Sequence, residues 1–152
     1  MANTYCQLYV HFVFAVHSRE SVIESSWREE LNRYVTGIVE QNGQRLLAVG
    51  GWRDHLHVFA GMKPNKAPSA LAGEVKRVSS LWVNAQGFCP GHFAWQEGFG
   101  AFSYAQSQMG TVVKYIMGQE EHHRKVSFRE EYVAFLRKFG VAYDERYLFH
   151  EI

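Results

Sequence analysis

Between Tyr5 and Val16 every even position is apolar (Cys6, Leu8, Val10, Phe12, Phe14 and Val16), whereas Tyr5, Gln7, Tyr9 and His11 fall on odd ones. This period of two predicts a strand with one buried face. The period then changes. Ser26 followed by Glu29 makes a capping box, and Leu31, Tyr34, Val35, Ile38 and Val39 recur at helical spacing up to Gly43, predicting a helix of about four turns. QRLLAVGG and RDHLHVFAGM read as second and third strands that pair as a hairpin, with Gly50 and Gly51 marking the turn or bulge between them. Beyond the loop KPNKAP, Leu71, Val75, Val78 and Trp82 predict a second helix, with Ser69 as its cap and Gly87 as its stop. HFAWQEGFGAFSY is aromatic and punctuated by glycine, which suits one or two short strands with a turn near Glu97 and Gly98. Met109, Val112, Val113 and Ile116 mark a third helix running from about Ser107 to about Glu121. A fourth opens with the box Ser127 to Glu130, buries Phe128, Tyr132, Phe135, Leu136 and Phe139, and stops at Gly140.

This order of elements predicts an α+β, ferredoxin-like fold: an antiparallel sheet with two helices on one face and further helices added at the C-terminal end. Repeats, low-complexity tracts and linkers are missing, so residues 1–152 are expected to form a single domain, long enough to bury roughly 68–70% of the unfolded surface. Hydrophobic residues make up 47% and charged residues 20%, and no run approaches the ~18 apolar residues of a spanning helix, which excludes a disordered chain and argues against a membrane partner. The N-terminus has neither a positive leader nor a small-residue cleavage site, and Cys6 and Cys89 form no CxxC pair; a reducing, cytoplasmic setting is expected. Sixteen Lys plus Arg against fifteen Asp plus Glu give a formal charge of +1, so binding to nucleic acid cannot rest on a large global field. The 15% of aromatic residues is the stronger clue, because such rings stack on unpaired bases as well as fill a core.

In the third strand Leu56, Val58 and Ala60 should face the helices, which makes His55 and His57 project together from the opposite face. Same-face neighbours stand only about 6.5–7 Å apart, so two imidazoles can converge on one cation; the alternative is a surface pair on a half-exposed sheet. On the third helix Tyr115, Gln119 and His122 fall in one stripe beside Val112 and Ile116, either addressing one point or merely lining the edge of the core. His122 and His123 point ~100° apart and are expected to be solvated or to interact with a helix C-terminus rather than share a metal. Asp54 is a candidate acceptor for orienting a neighbouring histidine, although its parity puts it on the other face from the imidazoles and leaves it unassigned. Lys63, Lys66, Lys76 and Arg77, opposed only by Glu74, form a basic region that either contacts phosphate or is simply solvated. A phosphate loop, a dinucleotide fingerprint, an HExxH helix and a GxSxG elbow are all missing, which removes the commonest nucleotide-hydrolase, dehydrogenase and hydrolase readings.

DHLHVFAGM resembles the histidine, hydrophobic, histidine motif of the HUH endonucleases, and VVKYIMGQEEHH resembles their single-tyrosine nucleophile helix. HFVFAVHSRE, EVKRVSSLW, FAWQEGFGAFSY, FREE and AYDERYL are similar to the small single-tyrosine transposases of bacterial insertion sequences and their relatives associated with repetitive extragenic palindromes. The resemblance covers nearly the whole chain. It implies a ferredoxin-like fold with an added nucleophile helix, and a divalent metal, Mg²⁺ or Mn²⁺. It also implies a homodimer with composite active sites, in which Tyr115 of one chain meets His55 and His57 of the other, and cleavage and rejoining of single-stranded DNA with hairpin ends. Carried over, His55 and His57 match the metal ligands, Gln119 the third ligand and Tyr115 the nucleophile that forms a 5′-phosphotyrosine. Tyr104, in FSYAQS, departs from the smaller or aliphatic residue usual there and is expected to alter DNA contacts. Two other readings stay open: a non-mobile relative that processes palindromic repeats, and a non-catalytic module that stacks single strands on Tyr5 and Tyr9.

Overall fold

The computed structural model describes residues 4–144 together with Arg146 and Leu148. Strands β1 (Tyr9–Ala15), β2 (Arg45–Gly51), β3 (His55–Gly61) and β4 (Gly100–Tyr104) form one sheet in the order β2-β3-β1-β4, every neighbouring pair antiparallel. Helices α1 (Ser25–Gln41) and α2 (Pro68–Gln86) join β1 to β2 and β3 to β4, giving the ferredoxin-like α+β arrangement that the order of elements predicted. Phe12 and Phe14 of β1 and Leu56, Val58 and Ala60 of β3 meet Leu31 and Val35 of α1 and Leu71 and Val75 of α2 in one buried cluster. Stacked rings, Tyr34 on Trp82 at 4.4 Å and Trp27 on Phe88 at 4.9 Å, tie α1 to α2 and its C-terminal loop.

The opposite face of the sheet is covered as well. Helices α3 (Met109–Met117), α4 (Gln119–His123) and α5 (Phe128–Lys138) lie in the C-terminal third. Val112 and Ile116 pack on Ala48 and Phe59, while Phe128 and Leu136 pack on Val13, Ala15 and Phe102. β1 therefore buries both faces: odd-numbered His11 and Val13 are as inaccessible as even-numbered Phe12 and Phe14. A period of two identifies the two faces of a strand but not how many of them are covered, because a histidine or tyrosine reads as polar whether it meets water or another layer.

Several boundaries differ from the sequence expectation. Gly50 and Gly51 are not the turn; they pair with His57 and Leu56, the chain reverses through residues 52–54, and the irregularity in β2 lies between Leu46 and Ala48. Gly50 is needed for close approach, since a Cβ there would come within 2.5 Å of the Ile116 carbonyl oxygen. α1 starts at Ser25, so Ser26 lies inside the helix, and α2 is entered through Pro68, whose missing N–H costs nothing at that position, with Ser69 inside it. Gly87 does stop α2 in the left-handed region at φ 69°, and Ser127 Oγ does cap α5 by accepting the Glu130 N–H at 3.2 Å. The single helix expected up to Glu121 breaks at Gly118, whose N–H is shared between the carbonyls of Lys114 and Tyr115 at 3.1 and 3.2 Å. Trp95 bridges Val16 before the turn at Gly98, and β4 follows. Tyr104 ends β4 rather than lying in a loop, with its ring edge-on to Phe59 and Phe139. Among the described residues no helix is long and apolar enough to cross a membrane.

The contact between Gly50 and α3 yields a first prediction. Gly50→Ala should destabilise the protein by about 1–3 kcal/mol, the usual range for forcing a methyl group into a filled space. Urea unfolding followed by far-UV circular dichroism measures it, and a loss below ~0.5 kcal/mol would mean that α3 moves away at little cost.

Candidate active site

The parity of β3 puts His55 and His57 on the face covered by α3–α5, and both are fully buried. Between them stands the carboxylate of Glu131 from α5, with Oε1 at 2.9 Å from His57 Nε2 and 3.3 Å from His55 Nε2. Gln119, at the start of α4, places Oε1 at 3.0 Å from His55 Nε2 and donates from Nε2 to Glu131 Oε2 at 3.2 Å. The Tyr115 hydroxyl, from α3, donates a short hydrogen bond to Glu131 Oε2, and His122 Nε2 lies 3.4 Å from that hydroxyl. All four residues singled out in the sequence are thus within one cluster, with Ile116 buried against the sheet and Glu131 linking Tyr115 to His57.

Three further residues take part. His123, expected to be solvated, has a side chain only 2% exposed, with Nε2 at 2.8 Å from Gln119 Oε1 and 3.4 Å from Glu131 Oε2. The break at Gly118 turns α4 so that neighbouring His122 and His123 both reach the same carboxylate, which an unbroken helix would not allow. Asp54 accepts from His55 Nδ1 at 2.8 Å; parity fails for it because it belongs to the reversal before β3 begins. His11 of β1 places Nε2 at 2.7 Å from His57 Nδ1. Glu131 carried no sequence signal beyond lying on the buried stripe beside Phe128, Tyr132 and Phe135, where an acidic residue breaks the pattern. Of the basic residues singled out, Lys76 and Arg77 ride on α2, on the other side of the sheet, where Lys76 donates to the Gly98 carbonyl and Arg77 pairs with Glu74.

The electrostatics follow from burying this many polar groups together. Burial alone would raise the Glu131 carboxyl, but the surrounding imidazoles, His57 foremost, hold it far below the usual carboxylate range. Burial opposes protonation of His55, yet its hydrogen bonds to Asp54 and Glu131 outweigh that and raise it to about 9. His57 and His11 are lowered, chiefly by burial. Burial, then the charge of Glu131, pushes the Tyr115 phenol well above its ordinary range. Hydrogen-bond accounting shows a shortage of positive charge at the centre. His55 Nδ1–H is committed to Asp54 and His123 Nδ1–H to the Val126 carbonyl at 2.7 Å, which leaves both Nε2 atoms facing acceptor oxygens of Gln119 and Glu131. Such contacts call for added protons or a cation between them. Nitrogen and oxygen donors of His55, His57, His123 and Glu131 lie within 4.8 Å of one another, so the donor set fits a divalent ion.

The family described as IS200-like transposases matches residues 4–119, a span that includes β1 through Gln119 and stops short of His123 and Glu131. None of the curated proteins matches. Among solved structures, a Deinococcus radiodurans R1 protein assigned as a transposase superposes with a TM-score of 0.64 at 19% identity, over 78% of this chain and 95% of that one. A REP-associated tyrosine transposase bound to a REP hairpin superposes with a TM-score of 0.60 at 16% identity, over 83% of this chain and 74% of that one. At these identities the likeness is one of fold.

The raised His55 yields a prediction with a definite sign. A group whose folded value lies above its unfolded value of 6.5 stabilises fully below that pH and loses the contribution as pH rises through the folded value, here about 9. Chelator-treated protein should therefore lose urea stability between about pH 6.5 and 9, and Asp54→Asn should flatten that slope while lowering the His55 midpoint read by NMR. A stability profile that is flat over this window in the wild type would contradict the protonated His55.

Proposed function

The chain belongs to the IS200-like transposase family, and from that premise we propose that it is a single-strand DNA transposase whose Tyr115 attacks a phosphodiester beside a divalent cation held by His55, His57 and Gln119. The observation that carries the reading is the convergence of Tyr115, His55, His57 and Gln119 on one buried carboxylate, with His57 and Glu131 74 residues apart in sequence. Binding alone needs no phenol beside paired imidazoles, which counts against a non-catalytic stacking module. Tyr9 also packs edge-on against Phe59 rather than standing free as a stacking platform.

His55 and His57 present Nε2 inward because Asp54 and His11 occupy their Nδ1 atoms, so both nitrogens are aimed before any substrate arrives and a bound cation would take the place of the protons they share with Glu131. Gln119 adds a neutral oxygen donor. When bound, a divalent cation polarises the scissile phosphate and offsets the negative charge that makes the buried phenol hard to ionise. Tyr115 is oriented by the hydrogen bond to Glu131, whose own affinity for a proton is too low for it to serve as the base. Attack joins Tyr115 Oη to phosphorus and releases the 3′-oxygen, leaving a 5′-phosphotyrosine. One phosphodiester replaces another, so the same tyrosine can hand the 5′ end to a new 3′-OH without ATP. The solved relative bound to a REP hairpin supports hairpin-bearing DNA as the substrate class, and it accommodates equally a non-mobile relative that processes such palindromes with the same chemistry. A cytoplasmic setting fits this DNA chemistry.

The resemblance implies a composite homodimer, in which Tyr115 of one chain serves His55 and His57 of the other, and the same contacts also close within one chain. Labelled single strands bearing a hairpin should yield a protein-sized adduct on denaturing gels, lost in Tyr115→Phe and reduced at least ~100-fold in His57→Ala. Mixing those two inactive variants under conditions that exchange subunits should restore cleavage where Tyr115 serves the other chain's histidines, and nothing where each chain closes its own site. Recovered cleavage in verified heterodimers would establish the composite arrangement, and an adduct that persists in Tyr115→Phe would remove the nucleophile assignment altogether.

A further inference from the structure

We propose that Arg28 and Arg53, gathered on the ring of Trp52, form a phosphate subsite that holds the backbone of a single-stranded DNA segment next to the scissile position. The proposal rests on the single-strand DNA reading and deepens it by naming where the charge of the strand is met. With a formal net charge of +1 the chain has no broad positive field to draw on, and Lys76 and Arg77 lie on the far side of the sheet. A strand entering the candidate active site therefore needs particular cations close to it.

Arg28 of α1 places its guanidinium carbon 4.8 Å from the centre of the Trp52 ring, and Arg53 places its own at 5.4 Å. Hydrogen bonds build the pair into the fold. The Arg53 carbonyl accepts from the Ile23 N–H at 2.9 Å, the Ile23 carbonyl accepts from Arg28 Nη2 at 2.9 Å, and the Trp52 N–H donates to the His55 carbonyl at 3.1 Å. The reversal at residues 52–54 and the entry to α1 are thus tied together, and both cations with them. Among the described residues neither arginine has a carboxylate partner: Asp54 is engaged by His55, and Glu120, nearby, pairs with Arg124 at 3.8 Å. Arg28 Nε is shielded from water without an acceptor. Burial, then repulsion from Arg53, lowers the proton affinity of Arg28. An anion bound by both arginines relieves that repulsion, and the planar donors of a guanidinium match the oxygens of a phosphate.

Position decides which phosphate. The two arginines and Trp52 line a cavity of about 420 Å³, and a second cavity of about 270 Å³, walled by Gly51 and Gln119, shares Arg28 and Glu120 with it. The Trp52 ring also lies nearly parallel to that of His123, at 6.3 Å and 20°, so one layer of side chains separates the cations from the centre around Glu131. A strand laid along this groove with one phosphate beside Gln119 brings a neighbouring phosphate to Arg28 and Arg53. A positive groove joined to an aromatic ring is the usual construction of a single-strand track.

Binding and cleavage are read separately. Fluorescence anisotropy in chelator, which withholds the cation needed for cutting, measures the affinity of the full-length chain for a labelled oligothymidylate and for a labelled mixed-sequence strand bearing a hairpin, over a series of salt concentrations. Arg28→Gln and Arg53→Gln should each weaken both strands roughly three- to tenfold. Each should also lower the slope of log affinity against log salt by about 0.7, the share of one phosphate on a single strand. Single methylphosphonates stepped along the hairpin strand remove one negative charge at a time; one position beside the cleavage site should cost the wild type as much as Arg53→Gln does, and should cost Arg53→Gln nothing further. Unchanged affinity and slope in Arg53→Gln overturn the subsite, as does a loss confined to one sequence at unchanged slope, which is the mark of base reading. Arg53 is exposed, so its variant decides the matter even where circular dichroism shows that Arg28→Gln does not fold. If both variants bind as the wild type does while the hairpin strand still gives the Tyr115 adduct, the subsite falls and the single-strand reading stands; if the wild type binds neither strand and gives no adduct, both fall.

Discussion

A carboxylate almost sealed from water has to be answered by positive charge or by hydrogen-bond donors, and Glu131 is answered from three directions at once: by His55 and His57 of β3, by His122 and His123 of α4, and by Tyr115 and Gln119 at the two sides of the Gly118 break. Removing a charge from water without partners costs several kcal/mol, so α5 cannot sit where it does unless those partners are present. The reverse also holds. Two imidazole nitrogens turned toward amide and carboxylate oxygens are tolerable only with protons or a cation among them. The site is therefore not a set of residues placed on a finished scaffold; its electrostatics fix where α4 and α5 lie.

That constraint makes the protein three-layered. The strands β1–β4 with α1 and α2 enclose one core, built around Phe12, Phe14, Leu56 and Val58. The outer face of the same sheet carries His11, His55 and His57, and it is closed by α3 and α5 through Ile116, Val112, Phe128 and Leu136. Polar and apolar burial alternate on that second face: Phe128 stacks on His55 at 4.0 Å, and Phe135 meets His11 edge-on at 5.2 Å. Apolar rings fill the space around the imidazoles and keep water out, which strengthens each hydrogen bond to Glu131.

The parts legible in the sequence were those with a period. The alternation in RDHLHVFAGM put Leu56, Val58 and Ala60 toward the helices and His55 and His57 on the other face, and the structure has them so. The stripe of Tyr115, Gln119 and His122 also survives, although Gly118 interrupts the helix that generated it. What periodicity could not reveal was any partner supplied by a different element. The parity rule that leaves Asp54 unassigned applies only within a strand, and Asp54 precedes β3. Adjacent residues diverge on a continuous helix, but the helix that carries His123 is broken at Gly118. Glu131 shares the apolar stripe of its helix with Phe128 and Phe135, and nothing in a single sequence states which histidines a second layer brings to it. Composite assembly was implied by resemblance, and a period has no bearing on which chain supplies a neighbour.

The same layering clarifies what an exchange of subunits would involve. α3, α4 and α5 follow the sheet in sequence, and their mutual ties run through Glu131 to Tyr115, Gln119, His122 and His123. If they moved onto a second copy as a unit, hinged at residues 105–108 between β4 and α3, every one of those contacts would move with them, and Ile116 and Phe128 would meet the identical sheet face of the partner. An exchanged dimer and a closed chain would then contain the same list of interactions, as in any swap of an identical element. The chemistry of the site cannot distinguish them. The balance rests instead on the hinge, on the entropy lost by association, and on the exposure of Val112 and Ile116 during the transfer, each of which is worth about 1.5–3 kcal/mol of buried surface. Any exchange that starts from a closed chain adds the cost of exposing these residues to the cost of association.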